Sequence, residues 1–368
     1  MKILYDHQTF TSQQYGGISR YFFELIKRFN YNESSCKVAT IFSDNAYYNK
    51  NFNANLYSAS NYFHFKGKKR ITSYLNKKKS LSAIQRGDFN VFHPTYYDDY
   101  FFDKLKNRPF VVTCHDMVHE KFSGEFDALK SDFKTVDFKK RLIEHSSRII
   151  AISETTKKDI LNFYDVDSSK IDVVYHGSSI QNFKIGEKRL VAEDYVLFVG
   201  DRHVYKNFNL FISALADLLL ENNVKLICAG GGDFTLVEQD LLISLGIENH
   251  VFFKKIMNDD ALANYYTNAL FFVFPSLYEG FGIPVLEAFA CGCPVLLSNG
   301  GSLPEVGGEA ALYFDPTNID SLRSAASELL GNQKLRQTLK DKGFIRLKKF
   351  SWDYTFLETL EVYNSVIQ

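Results

Sequence analysis

The stretch that decides the fold is Pro275-Ser-Leu-Tyr-Glu-Gly-Phe-Gly-Ile-Pro-Val-Leu-Glu-Ala-Phe-Ala-Cys-Gly-Cys-Pro294. An apolar run of strand length, residues 269–274, comes directly before it. Residues 285–291 are predicted to be helical, because Pro284 suits a first helical position and Gly292 suits the residue past the end. The order is therefore strand, glycine-bearing loop and helix N-terminus. Such a loop presents unpaired backbone N–H groups and the positive end of a helix dipole to an anion.

Groups in this stretch are suited to a nucleoside-diphosphate sugar. Gly280 and Gly282 lack side chains, so a phosphate can approach the backbone closely. Glu279 precedes the helix and Glu287 is expected in its first turn, so one acid can take sugar hydroxyls and the other ribose hydroxyls. In a purely structural interpretation, Glu287 would stabilise the helix end and Glu279 would lie in solvent.

A second candidate site follows the strand predicted at residues 195–200. There Arg202 offers a planar fork of donors and Lys206 a point charge, the usual pair for diphosphate oxygens. Both could be ordinary surface charges. Their position after a strand, at the edge where parallel sheets bind ligands, favours phosphate binding.

The N-terminal half carries similar signals. Gly16 and Gly17 lie between a strand at residues 2–6 and a helix at residues 18–29, and either a tight turn or a ligand explains them. His115 ends a strand predicted at residues 109–116. A lone histidine is most often structural, but the position at a carboxyl edge favours a functional role.

Length, charge and cysteine usage exclude several classes. A chain of 368 residues suggests two domains, predicted at 1–180 and 190–350, with a last helix at 352–368. Lys plus Arg and Asp plus Glu number 43 each, so no overall field favours nucleic acid. The five cysteines show no zinc or disulfide spacing, and no targeting signal or membrane span is predicted, so we expect a cytoplasmic protein.

Strands and helices alternate along both halves, and a second strand of the first half is predicted at residues 36–43. In the second half the strands are predicted at 195–200, 225–230, 251–254, 269–274 and 294–298, with helices between them. This alternation is typical of an α/β protein with parallel sheets covered on both faces.

These motifs resemble those of the retaining glycosyltransferases of family 4. The Glu-x7-Glu string from Glu279 to Glu287 carries the resemblance, and further matches occur along nearly the whole chain, at residues 16–21, 115–116, 152–157 and 199–207. The resemblance implies the GT-B fold: two Rossmann-like domains facing each other across a cleft. It also implies transfer from a GDP- or UDP-linked sugar, with retention of anomeric configuration and without a metal or other cofactor. The acceptor would be a glycan or a lipid-diphosphate-linked sugar in the assembly of a bacterial surface polysaccharide such as O-antigen or capsule.

The residues that the resemblance and their positions assign fall into three groups. The catalytic candidates are Arg202, Lys206, Glu279 and His115. The donor-binding candidates are Gly16, Gly17, Arg202, Lys206, Gly280, Phe281, Gly282, Ile283 and Glu287. The acceptor-binding candidates are Ser19, Arg20, Tyr21, His115 and Asp116. Asp165 and Asp167 spell the metal-binding Asp-x-Asp of another glycosyltransferase architecture, but they fall in a predicted turn far from any glycine-rich loop.

Two other activities remain open at this point. A GT-B-fold sugar-nucleotide epimerase would bind the same donor without an acceptor. A catalytically silent nucleotide-sugar-binding subunit is disfavoured, because the charged candidates are all present.

A basic stretch in the first half raises the question of membrane contact. Phe63, Phe65 and Tyr74 are interleaved with it, so it could bind an anionic membrane, although such a run is usually a solvated face. Its basic residues are Lys66, Lys68, Lys69, Arg70, Lys77, Lys78 and Lys79.

Overall fold

Alternating strands and helices build two units, in a computed structural model that describes residues 1–29, 34–51, 67–126, 133–178, 180 and 189–367. Unit 1 comprises residues 1–176 with 352–368, and unit 2 comprises residues 177–351. The C-terminal helix therefore belongs with the N-terminal part of the chain.

The strands within the described residues all pair in parallel. Those of unit 1 are β1 (Lys2–Tyr5), β2 (Ser35–Val38), β3 (Val91–His93), β4 (Val111–Cys114), β5 (Arg148–Ala151) and β6 (Ile171–Val173). Those of unit 2 are β7 (Tyr195–Val199), β8 (Lys225–Ala229), β9 (Val251–Lys254), β10 (Phe271–Phe274), β11 (Val295–Ser298) and β12 (Ala311–Phe314).

The helices connect these strands, as parallel pairing requires. Unit 1 contains α1 (Gln8–Ser12), α2 (Gly17–Phe29), α3 (Ala46–Asn51), α4 (Lys68–Arg86), α5 (Phe102–Leu105), α6 (Val118–Phe122), α7 (Phe133–His145) and α8 (Glu154–Phe163). Unit 2 contains α9 (Phe208–Glu221), α10 (Leu236–Ser244), α11 (Asp259–Asn268), α12 (Ile283–Ala290), α13 (Leu303–Gly307), α14 (Ile319–Gly331) and α15 (Gln333–Leu347). The last helix, α16 (Trp352–Ser365), lies in unit 1.

The strand order of unit 2 is β12-β11-β10-β7-β8-β9. This is the order of the doubly wound dinucleotide-binding fold, in which the chain reverses direction between its first and fourth strands. Here the reversal falls between β7 and β10, with Phe271 paired to Val196 and Phe272 to Leu197. Ligands of such sheets bind at the carboxyl ends of the strands beside this switch point.

Unit 1 contains two three-stranded sheets, ordered β2-β1-β3 and β4-β5-β6. An isolated parallel bridge between Phe92 and Phe110 joins β3 to the approach of β4. The direction of winding changes between β1 and β3, so this unit has its own switch point.

Buried aromatic and histidine side chains fix α16 in unit 1. The Tyr363 hydroxyl lies 2.6 Å from His93 Nδ1 and 2.9 Å from the Tyr5 hydroxyl. The Trp352 ring stacks on His176 with centroids 5.4 Å apart. These contacts leave the ends of α16 little freedom within the unit.

Two differences from the sequence-based expectation have local causes. The strand expected at residues 36–43 ends at Val38, because the backbone N–H groups of Ile41 and Phe42 donate to Asn76 Oδ1 at 2.9 Å instead of to a strand. β12 was not predicted; it is a four-residue strand whose residues Ala311–Phe314 pair with β11 and lie between turn-forming segments.

Candidate functional site

An ion pair occupies the switch point of unit 2. Lys206 lies in the turn after β7 and Glu279 in the loop after β10, and the Lys206 Nζ to Glu279 Oε1 distance is 2.6 Å. Both side chains are largely buried, at 16% and 13% exposure. Burial lowers the pKa of Lys206, but Glu279 and Tyr205 outweigh it and the net pKa is raised, so the ammonium stays charged.

The loop that carries Glu279 is held by residues after β11. The Ser302 Oγ lies 3.0 Å from the backbone oxygen of Glu279 and 2.8 Å from that of Phe281, so its single proton is shared between two acceptors. Gly301 has φ +58°, and a Cβ there would lie 2.6 Å from the Glu279 backbone, so no side chain fits. Sequence reasoning missed this pair of residues, although their position after a strand at the carboxyl edge was an available signal.

Helix α12 directs its N-terminus toward the same edge. Gly282 precedes it with φ +111°, and the proline stands within the first two helical positions as expected. Phe281 is buried and packs edge-on against Phe350, 5.9 Å away. Because α12 begins at Ile283, Glu287 lies in the second turn and not in the first as expected. The Tyr266 hydroxyl lies 3.4 Å from Glu287 Oε2.

Arg202 pairs with a different carboxylate from the one that pairs with Lys206. Arg202 Nε donates to Glu238 Oε1 at 2.7 Å, and Nη2 donates to the backbone oxygens of Gly232 and Asp233 at 3.0 and 2.9 Å. Glu238 also closes a capping box with Thr235 at the start of α10. Arg202 Nη1 is buried and has no hydrogen-bond partner in the described part of the chain.

His115 and Asp116 follow β4 at the carboxyl edge of unit 1. The His115 backbone N–H donates to the Tyr97 hydroxyl at 2.9 Å, and burial lowers the pKa of His115 to about 4. Burial raises the pKa of Asp116, but buried Lys139 outweighs it and the net pKa is lowered. Lys139 Nζ lies 3.0 Å from the Asp116 backbone oxygen and 2.9 Å from Glu120 Oε2.

The glycine pair and the residues after it are engaged within unit 1. A Cβ at Gly16 would lie 2.5 Å from Gln13 Oε1, so the Gln13 side chain would have to move to admit one. Gly17 begins α2. The buried Ser19 hydroxyl donates to the Gly16 backbone oxygen at 3.0 Å, and that of buried Tyr21 lies 3.1 Å from Thr113 Oγ1. Arg20 pairs with Glu24 at 2.9 Å. These contacts order the turn and the start of α2, and the ligand-binding roles assigned to these residues stay predictions.

Asp167 caps a turn, since its carboxylate accepts the backbone N–H of Ser169 at 2.8 Å; Asp165 lies beside it in the segment between α8 and β6. In the parts of the chain that the structure describes, no group of three or more His, Cys, Asp or Glu side chains is placed to hold a metal ion. All five cysteines are free.

The basic stretch forms the first half of α4. Lys69, Arg70 and Lys78 are exposed there beside Ile71 and Tyr74, which are 50% and 56% exposed. Three of the stretch's other basic residues lie in the same helix: Lys68 pairs with Asp44, Lys77 pairs with Asp98, and Lys79 is half-buried. Phe63, Phe65 and Lys66 lie outside the described residues. No described helix has the length and apolar character needed to cross a membrane.

Two family models match consecutive parts of the chain. The model described as Glycosyltransferase Family 4 matches residues 15–181, and the one described as Glycosyl transferases group 1 matches residues 181–346. Together they span most of both units.

Individual proteins are similar over much of their length. An uncharacterised glycosyltransferase of Methanocaldococcus jannaschii is 27% identical, covering 80% of this chain and 79% of that protein. O-antigen chain mannosyltransferase B of Escherichia coli is 28% identical, covering 60% and 61%. The crystal structure of Anabaena HepE in complex with UDP-glucose superposes with a TM-score of 0.75 at 16% identity, covering 99% of this chain and 100% of that one.

Proposed function

We propose, from the premise that this chain belongs to the family 4 and group 1 glycosyltransferases and has the GT-B fold, that it transfers a hexosyl unit from a nucleoside-diphosphate sugar to a hydroxyl of a glycan or lipid-linked acceptor. Unit 2 takes the donor and unit 1 the acceptor. The reaction proceeds with retention of anomeric configuration and needs no metal. The observation that carries the proposal is the Lys206–Glu279 pair beside the N-terminus of α12.

Leaving-group stabilisation is the main catalytic contribution we assign to this pair. A departing nucleoside diphosphate develops negative charge, which fixed donors stabilise most when they need no reorganisation. The charged Lys206 ammonium and the N–H groups at Gly280–Ile283 are such donors. Glu279 is free to accept sugar hydroxyls once Lys206 turns to the diphosphate, and Glu287 is assigned to the ribose.

Arg202 contributes differently from the planar fork that its sequence motif suggests. Since Glu238 and the loop carbonyls take its Nε and Nη2, the nitrogen left for a phosphate oxygen is Nη1. Arg202 therefore supplies one donor nitrogen, with its two N–H groups, and a nearby positive charge.

The E. coli relative acts on O-antigen and HepE binds UDP-glucose, which supports a role in surface-polysaccharide assembly with a GDP- or UDP-linked donor. We assign a cytoplasmic location, with peripheral contact to an anionic membrane through the exposed cations of α4.

The test of this function is transfer itself. The purified chain is incubated with GDP-mannose or UDP-glucose, with and without an oligosaccharide acceptor, and the product is analysed by NMR. Acceptor-dependent formation of an α-linked product supports the proposal. Donor consumption that needs no acceptor, with an altered nucleotide sugar as product, would instead identify an epimerase.

A further inference from the structure

The switch point of unit 1 lies between the carboxyl ends of β1 and β3. The chain leaves β1 through Asp6 and His7, and it leaves β3 through a loop of three tyrosines and two acids at residues 96–100. By the general behaviour of open parallel sheets, this is where unit 1 should bind its ligand. Neither residue after β1 lies in the region that the family 4 model matches.

Buried Asp6 joins the two loops. Its Oδ1 accepts the Thr95 backbone N–H at 2.9 Å and the Thr95 hydroxyl at 2.7 Å. Its Oδ2 accepts Gln8 Nε2 at 2.8 Å and the Tyr100 hydroxyl at 3.2 Å. The carboxylate is thus fully used in fixing the β1 and β3 loops against each other, and the edge between them is preorganised.

His7 is the group that this arrangement leaves unsatisfied. It is 5% exposed, its Nδ1 lies 3.0 Å from the Thr11 hydroxyl, and its ring lies beside that of Tyr100 at 5.7 Å. The same Thr11 oxygen accepts Asn76 Nδ2 at 2.8 Å, so its own proton is available to donate to Nδ1. That assignment puts the imidazole proton on Nε2, which has no partner among the described residues.

The chemistry around His7 selects a hydroxyl-bearing ligand over a phosphate. Burial, the largest effect, lowers the pKa of His7 despite Asp6 and Asp98, so the ring is neutral and adds no positive charge. Asp98 Oδ2 is partly exposed and lies 3.5 Å from Lys77 Nζ, which balances that cation. A sugar hydroxyl can accept from His7 Nε2 and donate to a carboxylate. A phosphate would instead bring further negative charge close to Asp6 and Asp98, where Lys77 is already paired with Asp98.

We propose that the β1–β3 edge of unit 1 is an acceptor subsite for a neutral hexopyranoside, with His7 Nε2 and Asp98 as its hydrogen-bonding groups. The inference rests on the proposed function, because it names the sugar that unit 1 presents. A contact within the unit supports it: the Tyr97 hydroxyl, from the same β3 loop, accepts the backbone N–H of His115, which follows β4.

Saturation-transfer NMR on the full chain tests the subsite, with methyl α-D-mannopyranoside and methyl α-D-glucopyranoside as probes. In the wild type we expect saturation transfer from the protein to at least one of the two glycosides. His7→Ala and Asp98→Asn should each weaken its binding about tenfold, the usual loss for one hydrogen bond to a sugar hydroxyl. His7→Gln, whose Nε2 replaces the imidazole Nε2, should retain most of it. His145→Ala removes an exposed histidine of the same unit and is the matched control.

The outcomes separate this inference from the proposed function. Three results would each overturn the subsite. They are unchanged glycoside binding in both His7→Ala and Asp98→Asn, no saturation transfer to either glycoside, and displacement of the glycoside by inorganic phosphate. Melting temperatures show whether a loss reflects unfolding, and Asp98, being partly exposed, gives a second variant if His7→Ala fails to fold. A wild type that consumes no donor but binds glycoside through His7 would refute only the proposed function. Glycosyl transfer whose KM for the acceptor is the same in the wild type and in His7→Ala would refute only the subsite.

Discussion

Lys206 is a charged residue kept in a largely buried place by one carboxylate. Replacing it with alanine removes the cation assigned to the leaving diphosphate and leaves Glu279 without its partner. We expect Lys206→Ala to lower kcat by about 10²- to 10³-fold, the usual loss for one oxyanion-stabilising donor.

Steady-state kinetics with the donor varied would measure this effect. Lys225→Ala is the control, since it removes a lysine of the same unit that lies at the start of β8, the end of the strand opposite the ligand edge. Equal activities in the two variants would remove Lys206 from the catalytic assignment.

Glu238 links the donor-side arginine to the start of α10. If Nη1 of Arg202 serves the donor, Glu238→Gln should weaken donor binding about tenfold, because the ion pair with Nε becomes a weaker hydrogen bond to an uncharged amide oxygen and the guanidinium can turn. Isothermal titration with GDP-mannose and UDP-glucose measures the affinity.

Thr235→Val is the matched variant for Glu238. It removes the hydroxyl that donates to Glu238 and caps α10, while the Arg202–Glu238 pair stays intact. If both variants lose the same affinity for the donor, the loss comes from the helix cap of α10 and not from the orientation of Arg202.

At the scale of elements, the exposed cations of α4 are predicted to bind an anionic membrane. Each Lys or Arg near an anionic surface contributes about 1 kcal/mol of binding free energy, so Lys69, Arg70 and Lys78 together suffice for reversible binding. We expect salt-sensitive cosedimentation with vesicles containing phosphatidylglycerol and little with phosphatidylcholine alone. Replacing the three residues with serine should abolish it without altering donor affinity.

The control for α4 removes the same charge elsewhere. Lys334, Lys342 and Lys348 belong to or adjoin α15 of unit 2, and their triple serine variant changes the net charge equally. If this variant loses vesicle binding to the same extent, the attraction is a property of total charge and α4 has no special role.

At the scale of the whole molecule, buried histidines make stability depend on pH. Burial lowers the pKa of His93 to about 3 and that of His115 to about 4, and it lowers the pKa of His176 as well. In the unfolded chain these groups titrate near pH 6.5. Their full contribution to folding stability is therefore present above about pH 6.5. As the pH falls toward 4, each histidine lowers the free energy of unfolding by about 1.4 kcal/mol per pH unit.

Melting temperatures between pH 7 and 4.5 would measure this loss. Five carboxyls in the described part of the chain have a lowered pKa and lose their contribution to stability only below about pH 4.5, outside the measured range; they are Asp88, Asp116, Asp167, Glu238 and Asp315. His176→Phe keeps an aromatic ring against Trp352 and should flatten the slope, while exposed His145→Ala should not. A wild-type melting temperature that is constant over this range would contradict the assignment.

Metal removal tests the whole catalytic scheme. If Lys206, Arg202 and the start of α12 neutralise the diphosphate, turnover should be unchanged, within about twofold, after dialysis against EDTA. Loss of activity that Mg²⁺ or Mn²⁺ restores would show that these cations are insufficient. Asp165 and Asp167 would then be the next residues to replace.

Some of this protein could be predicted from the sequence because the signals are local. Apolar runs, glycine after a strand and proline at a helix start depend on neighbouring residues, so β10, the loop with Glu279 and α12 were predicted to within about two residues. The family resemblance rests on the same local strings. β12 was not predicted, because four residues between turns show too weak a hydrophobic pattern. Helix α12 begins two residues earlier than predicted, which places Glu287 in the second turn instead of the first.

The rest was decided by tertiary structure, since it depends on residues far apart in the chain. Lys206 and Glu279 are 73 positions apart and meet only because β7 and β10 are neighbours at the switch point. Arg202 has the same local motif but lies against Glu238, 36 positions away, which no spacing rule predicts. Nothing in the sequence alone singles out His7. Only the pairing of β1 with β3 buries its Nε2, which has no hydrogen-bond partner among the described residues. Periodicity determines which elements form, and strand order determines which side chains share a site.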